Sequence, residues 1–323
     1  MATNYVRDWD DMRITPQAAV PVNQIIQLRD GRAALYLGVT AASSGDPRSA
    51  FKASGIVSVP KSSGYSLLDG GDVFWDRTNG VATWQRLPAN RGYFMGTAYG
   101  DALNTDVVAS VNLNVRAAYD VRLFGRDNNT FTPAIILTAG KPTLTYQGGL
   151  DFLLDSTNEA QKVDALSDDY VLTGAKGIVR GVATVVNGGA AANTKFYLGL
   201  ASGTHATSPP SVTEYIYFEI DSNNTTINAQ SSDGTTTVPK TSTTKTYTAG
   251  TPVEFWIDLR NPASCGMYVN GVQVLIATVF NLAAGASNMK LLAWLGKTIS
   301  TDVMEVKINF LGCRTAEQST NGV

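Results

Sequence analysis

Apolar and polar residues alternate with a period of two in segment after segment of this chain, the pattern of β-strands that turn one face to a core. IVSV (56–59) is a short example, and in VVASVNLNV (107–115) Ala109, Val111, Leu113 and Val115 share one face while Ser110, Asn112 and Asn114 share the other. YIYFEID (215–221) sets Ile216, Phe218 and Ile220 against an outward set of Tyr215, Tyr217, Glu219 and Asp221. VEFWIDL (253–259) turns Val253, Phe255, Ile257 and Leu259 inward and leaves Trp256 outward. MEVKINF (304–310) turns Met304, Val306, Ile308 and Phe310 inward and predicts a strand that closes a sheet. In MYVNGVQV (267–274), Asn270-Gly271 supplies the two positive-φ residues that a tight hairpin needs. The polar run 221–250 still carries Ile227, Val238 and Tyr247 at intervals, which predicts exposed hairpins. Helical periodicity is weak, and STNEAQKVDALSDDY (156–170) is its one modest candidate.

GDVFWDRTNGVATW (71–84) adds a hairpin armed with aromatics on both sides of a polar turn at 76–80. Alternation puts Val73 and Trp75 on one face and Phe74 on the other. A small barrel pressed against a neighbour uses such a strand well: one ring fills the interior and another meets a partner subunit. Phe74, Trp75 and Trp84 are therefore candidates for core or interface.

At 323 residues the chain is long enough for two domains, and FGRDNNTFTP (124–133) is a polar, turn-rich stretch of the kind that separates packed units. The expected division is 1–120 and 121–323. With 44% hydrophobic residues, 16% charged residues and a net charge of −2, the chain is globular in composition and lacks the clustered Lys and Arg of a nucleic-acid binder. MATNYVRDWDDM carries charges where a secretory leader has an apolar run, and no stretch is apolar for long enough to span a bilayer, which predicts a soluble chain made in the cytoplasm without membrane insertion. Two cysteines, Cys265 and Cys313, build neither a disulfide framework nor a thiolate zinc cage, and buried free thiols are the expectation.

Candidate chemistry is sparse. The single histidine, His205, sits in the loop ASGTHATSPP with no second histidine at metal-ligand spacing and no G-x-S-x-G elbow anywhere, so a solvated loop histidine is expected. Gly296-Lys297-Thr298 fails as a phosphate-binding loop because Leu291 stands where the first glycine belongs. The run Asp221, Asn223, Thr225 lacks the glycine and the final Glu of a calcium loop, with Thr226 and Ser232 in their places. Asp10-Asp11 and Asp168-Asp169 are neighbours in sequence and point apart on a strand, and Glu214, Glu219, Glu254 and Asp258 read as solvated charge on a wet sheet face. No cofactor is expected. The outward rings Tyr215, Tyr217 and Trp256 form a candidate glycan-stacking face, or a second layer of core if other segments cover them.

Three stretches read in order, ITPQAAVPVNQIIQLRDGRAALYLGV (14–39), ASGIVSVPKSSGYSLLDGGDVFWDRTNGVATW (53–84) and YFMGTAYGDALNTDVVASVNLNV (93–115), resemble a family of small bacteriophage capsid decoration, or cement, proteins. The likeness rests on a G-x-x-x-V-P-K strand at 55–61, a hairpin G-D-V-F-W-D at 71–76 that is one residue shorter than the family's G-D-x-V-Y/F-W-D, a G-x-A strand at 96–98 and a closing alternating strand at 107–115, and it covers about residues 14–118. It implies a compact β-barrel or β-tulip domain on the outside of a phage head, bound to the major capsid protein and associated as a homotrimer. TPVEFWIDLRNPASCGMYVNGVQV (251–274) is similar to the laminin-G type of concanavalin-like jelly roll, a family that often binds glycans through loops, sometimes with calcium. No ligand pattern carries over from it.

The whole reads as an all-β, non-enzymatic virion protein: an N-terminal decoration domain with an arm, followed by a C-terminal jelly-roll β-sandwich that projects outward and could meet host-surface glycan. Tyr5, Val6, Trp9 and Ile14 give the polar arm enough apolar character to lie across a neighbour as an added strand, which puts Trp9 with Phe74, Trp75 and Trp84 among the interface candidates. The alternative is a carbohydrate-binding adhesin, such as a head fibre or spike component; a polysaccharide-cleaving enzyme is the third class considered.

Overall fold

The structure is a computed structural model that describes residues 11–47, 49–119, 121–122, 131–136, 143–146, 149–168, 171, 177–190, 193–284 and 289–315. Trp9, Asp10, Asp169 and most of the 124–133 stretch lie outside the described residues. The contacts divide the chain into two compact units, Met1–Ala118 and Tyr119–Val323. Among the described residues the regular structure is β apart from one 3-10 turn, Pro209–Ser211.

The first unit holds two antiparallel sheets. One has the order β1-β4-β3-β2, from β1 (Asp11–Arg13), β2 (Ile25–Gln27), β3 (Ala33–Tyr36) and β4 (Ala50–Lys52). The other has the order β5-β9-β8-β6-β7, from β5 (Ile56–Pro60), β6 (Asp72–Asp76), β7 (Val81–Thr83), β8 (Gly92–Ala98) and β9 (Val108–Leu113). A parallel bridge between Lys61 and Ala82 joins the ends of this second sheet, so it closes on itself as a small barrel. Ala109, Val111 and Leu113 fill its interior as the alternation predicts, but the pattern stops there. Asn114 adopts a left-handed backbone (φ 61°), and Val115 beyond it is exposed instead of inward. The Asn114 side chain ties the two sheets together: its Oδ1 accepts from Ala33 N (2.8 Å), and its Nδ2 donates to the carbonyls of Ala33 (2.9 Å) and Ala53 (2.6 Å).

The second unit is a sandwich of two large antiparallel sheets. The strands in chain order are β10 (Val121–Arg122), β11 (Phe131–Ile136), β12 (Thr143–Tyr146), β13 (Leu150–Leu153), β14 (Glu159–Ser167), β15 (Gly177–Asn187), β16 (Thr194–Ala201), β17 (Glu214–Asp221), β18 (Thr226–Asp233), β19 (Thr237–Thr246), β20 (Val253–Asp258), β21 (Gly266–Val269), β22 (Val272–Val274), β23 (Lys290–Ser300) and β24 (Glu305–Thr315). One sheet runs β12-β13-β24-β15-β20-β21-β22 with β10 also paired to β24, and the other runs β11-β14-β23-β16-β17-β18-β19. Their facing sides share one core that includes Phe152, Val163, Val179, Leu198, Phe218, Ile257, Leu295 and Ile308. The Asn270-Gly271 turn forms as predicted, with φ of 50° and 74° between β21 and β22.

Three expectations are corrected here. The modest helix candidate at 156–170 is strand β14, paired on both sides, because Val163 and Ala165 are needed in the sandwich core. The strand MEVKINF does not close a sheet but lies inside one, between β13 and β15. Phe310 is not in the core either: a bulge at Asn309, where Val182 opposes Phe310 and Ala183 opposes Ile308, inverts the alternation and sends Leu311 and Cys313 inward. Phe310 packs instead on Tyr119, 4.7 Å between ring centres.

Candidate interaction surfaces

The armed hairpin is folded inward on both faces. Phe74, Trp75 and Trp84 are 8%, 5% and 9% exposed, so the expectation that one ring is core and another faces out is not met within this unit. The reason is local. β6 lies between β7 and β8, and a bulge between Val73 and Phe74 breaks its register against β8. Phe74 meets Phe94 edge-on at 5.9 Å, and the Arg116 guanidinium lies 4.6 Å from the Phe94 ring centre. Trp84 is reached by Tyr65 at 6.1 Å.

Asp76 ends β6 and organises the turn. Its carboxylate accepts from the amides of Thr78 (2.9 Å) and Asn79 (3.2 Å), from the Asn79 side chain (2.8 Å) and from Arg91 (3.3 Å). Burial works against ionisation, but these donors outweigh it and hold the carboxyl below its ordinary range. Because the folded value is depressed, the stabilisation is present above the unfolded carboxylate range near pH 4 and is lost as the pH falls through the lower folded value. Asp76→Ala is expected to lower the stability of the first unit by about 1–3 kcal/mol at pH 7. Urea melts at pH 7 and at pH 3 check it, with the difference from the parent smaller in acid.

A lysine that the sequence marks only as part of V-P-K organises the opposite feature, an exposed one. Lys61 is buried, and its Nζ donates to the carbonyls of Ser62 (2.9 Å), Tyr65 (2.6 Å) and Asp106 (2.9 Å). Backbone bonds from Lys61 N to Val107 O and from Gly64 N to Asn104 O, both 2.8 Å, hold the same two loops side by side. Those loops carry Tyr65, Leu103 and Val107, and Val108 opens β9 beside them, all exposed. The barrel thus presents pinned loops rich in apolar side chains, a rigid arrangement of the kind that meets a partner with little loss of conformational entropy. Nothing in the alternation marks a lysine as a buried pin; the one signal was its place directly after a strand-ending proline.

In the second unit the expected wet faces are covered. Tyr215, Tyr217 and Trp256 are 4%, 0% and 7% exposed, which corrects their outward placement. Tyr215 stacks on Tyr217 at 4.7 Å, Tyr217 meets Tyr197 at 4.9 Å, and Tyr197 meets Trp294 at 5.5 Å, forming a second apolar layer with Leu292 and Ala201. The 202–213 segment lies against this layer. Val212 packs on it, the His205 carbonyl accepts from Trp294 Nε1 at 3.0 Å, and Thr204 hydrogen bonds to Asp164, which Lys162 also reaches at 3.0 Å. Burial pushes the phenols of Tyr197 and Tyr217 well above their ordinary range.

The carboxylates expected on those faces are engaged as well. Glu219 is buried between Lys195 (3.1 Å) and Lys240 (3.0 Å) and accepts from Gln230, while Asp221 pairs with Lys240. Glu254 is held by Arg180 at 2.8 Å and by Trp256 Nε1 at 2.6 Å, and Asp258 by Arg260 at 2.7 Å. His205 is half-buried, its Nδ1 accepting from the amides of Thr207 (3.3 Å) and Ser208 (3.1 Å). Gly296-Lys297-Thr298 lies on β23. A Cβ at Gly296 would stand 2.4 Å from the Trp294 ring, and Lys297 Nζ donates to the carbonyls of Asp155 (2.5 Å), Thr157 (2.9 Å) and Asp302 (3.1 Å). Among the described residues no group of three or more His, Cys, Asp or Glu is placed to hold a metal ion.

Cys265 and Cys313 are free and buried. Burial, with the charge of Asp258 nearby, pushes the Cys265 thiol up to about 12. Neither thiol is expected to react with an aromatic disulfide reagent at pH 8 in the native chain, and both react once guanidinium unfolds it; prompt labelling of the native chain contradicts this.

Comparison with known proteins bears on the two units differently. The model of the family described as phage cement protein matches residues 6–113, a span that ends within five residues of the first unit's boundary at Ala118. Over residues 6–113 this chain is similar to the phage cement protein family. The cement domain thus accounts for the first unit and leaves the second outside the match. No curated protein matches the chain in sequence. Among solved structures, the carbohydrate recognition domain of Emp46p in its potassium-bound form is 11% identical, with 57% of this chain and 88% of that chain covered and a TM-score of 0.41. The carbohydrate binding module CBM66 from Bacillus subtilis is 7% identical, with 58% and 96% covered and a TM-score of 0.38. A Bacillus subtilis protein of unknown function with a galectin-like fold is 8% identical, with 61% and 97% covered and a TM-score of 0.42. The sandwich architecture of the second unit stands on its own sheet order. Among the described residues no helix is long and apolar enough to cross a membrane.

Proposed function

We propose that this chain is a capsid decoration protein: the cement domain binds the outer surface of an assembled phage head, and the sandwich is carried outward from it. The observation that carries the reading is the coincidence of the cement-family match with a compact, separately cored unit. Bridging between major capsid subunits is the means by which it stabilises the shell, and association as a homotrimer supplies several contact surfaces at once. The pinned loops carrying Tyr65, Leu103 and Val107, with Val108 at the start of β9 beside them, support this reading as a shell-facing surface, because they offer rigid apolar area in which the one carboxylate, Asp106, is held by the Leu103 amide at 2.7 Å. Such a role needs no catalytic group. Adhesion to host glycans, the other role considered for the second unit, has to use a surface other than the faces of Tyr215, Tyr217 and Trp256, which packing covers.

Co-sedimentation with expanded, undecorated heads tests the proposal. Saturable binding that raises the melting temperature of the shell supports it. Binding to host-derived glycan with no effect on the shell favours the adhesin reading instead.

A further inference from the structure

The first sheet of the cement domain has its two outer strands, β1 and β2, facing one another across an open groove of about 630 Å³. One wall is 12–17 and the other 26–32, and the Arg32 guanidinium reaches Met12 Sδ between them at 3.5 Å. Met12, Ile14, Ile26 and Leu28 pack half-buried on the sheet's core side. Arg13 and Arg29 are exposed, and Asp30 is the one acidic residue of the lining. Each outer strand is paired on one side only in the sheet order, so the groove offers backbone donors and acceptors along both walls above an apolar floor.

We propose that this groove receives residues 4–10 of a second copy of the same chain as an inserted β-strand. The segment NYVRDWD fits the lining by alternation: as a strand it carries Tyr5, Arg7 and Trp9 on one face and Asn4, Val6, Asp8 and Asp10 on the other. The two rings meet the apolar floor with the Arg7 stem laid between them, and the two carboxylates meet Arg13 and Arg29, while Asp30 keeps its pair with Arg32 at 2.7 Å. About 20–24 Å of extended chain is long enough to run the length of either wall strand. A chain's own arm is the poorer occupant. β1, one of the walls, begins at Asp11, directly after residue 10, so no residue is left between them for the turn that pairing 4–10 with its own wall strand requires. An arm given to the next copy is a heterologous contact, which forms a ring when the rotation between copies closes. The inference rests on the reading of the chain as a self-associating decoration protein and names the contact that joins the copies.

The test is photo-crosslinking in the full-length chain. A tagged copy with Trp9→p-benzoylphenylalanine, which keeps an aromatic ring at the position, is co-expressed with an untagged, probe-free copy. Irradiation is expected to join position 9 of the tagged copy to the 12–32 segment of the untagged one, and removal of residues 1–10 is expected to reduce the mass in solution to that of one copy. Cross-links confined to the tagged chain itself, cross-links to other segments, or cross-links formed only to capsid protein when heads are added overturn the proposal, as does an arm-less chain of unchanged mass. Binding of the intact chain to heads is measured in parallel, so loss of the arm contact with head binding retained sinks this inference alone, whereas an intact chain that never binds heads sinks the decoration reading.

Discussion

Lys61→Met is expected to destabilise the cement domain by about 2–4 kcal/mol, because it removes three charge-assisted hydrogen bonds to partly buried carbonyls, each worth about 1.5–3 kcal/mol before water replaces part of the loss. The methionine nearly matches the volume of the lysine stem, so the loss isolates the ammonium and its three bonds to Ser62, Tyr65 and Asp106. Burial lowers the lysine's proton affinity, and the charge of Asp106 restores part of it. The same bonds are what hold the loops that carry Leu103 and Val107, so the variant is expected to lose head binding more steeply than it loses fold. Thermal unfolding measures the first effect, with the first unit's transition lowered by more than about 10 °C. Sedimentation with heads, below that transition, measures the second. A variant that melts with the parent contradicts the pin.

Trp294→Ala is expected to remove about 3–5 kcal/mol from the second unit, the usual loss for emptying a buried indole site. Its ring meets Tyr197 at 5.5 Å, lies over Gly296 where no side chain fits, and donates to the His205 carbonyl. That last bond fastens the 202–213 segment over the tyrosine layer. The variant should therefore expose this segment to protease while the rest of the sandwich stays protected, and the first unit's transition should not move. Limited proteolysis with mass spectrometry reads the cut site, and cleavage spread evenly through the unit contradicts the account.

Alternation is a reliable guide to which residues share a face, and a poor guide to what lies over that face. Val253, Phe255 and Ile257 face the core as their spacing requires, and so do Ile216, Phe218 and Ile220. The opposite faces, carrying Tyr215, Tyr217 and Trp256, looked wet because a period of two cannot register a cover contributed from a distant stretch such as 202–213. Bulges defeat the same reasoning from within a strand. One extra residue at Asn309 moves Phe310 out and Leu311 in, and the bulge at Val73/Phe74 accompanies a strand buried on both faces. The weak helix signal at 156–170 failed for a different reason: Lys162 and Asp164, spaced two apart, form a buried ion pair on the outer side of β14, a pattern that short-range helical spacing does not distinguish. Of the first unit's pinned loops and turns, the V-P-K and G-D-V-F-W-D motifs were visible as motifs. What they build, a lysine that fastens loops and an aspartate that fastens a turn, became visible only when the loops from 103–107 and the side chain of Arg91 were brought to them in space.

The most direct measurement is a reconstruction of heads saturated with the intact chain. The account predicts density for residues 11–118 seated on the outer surface, at contacts between major capsid subunits, with the sandwich of residues 119–323 further from the shell. Heads that bind nothing, or a shell contact made by the sandwich while the cement domain points away, would contradict it.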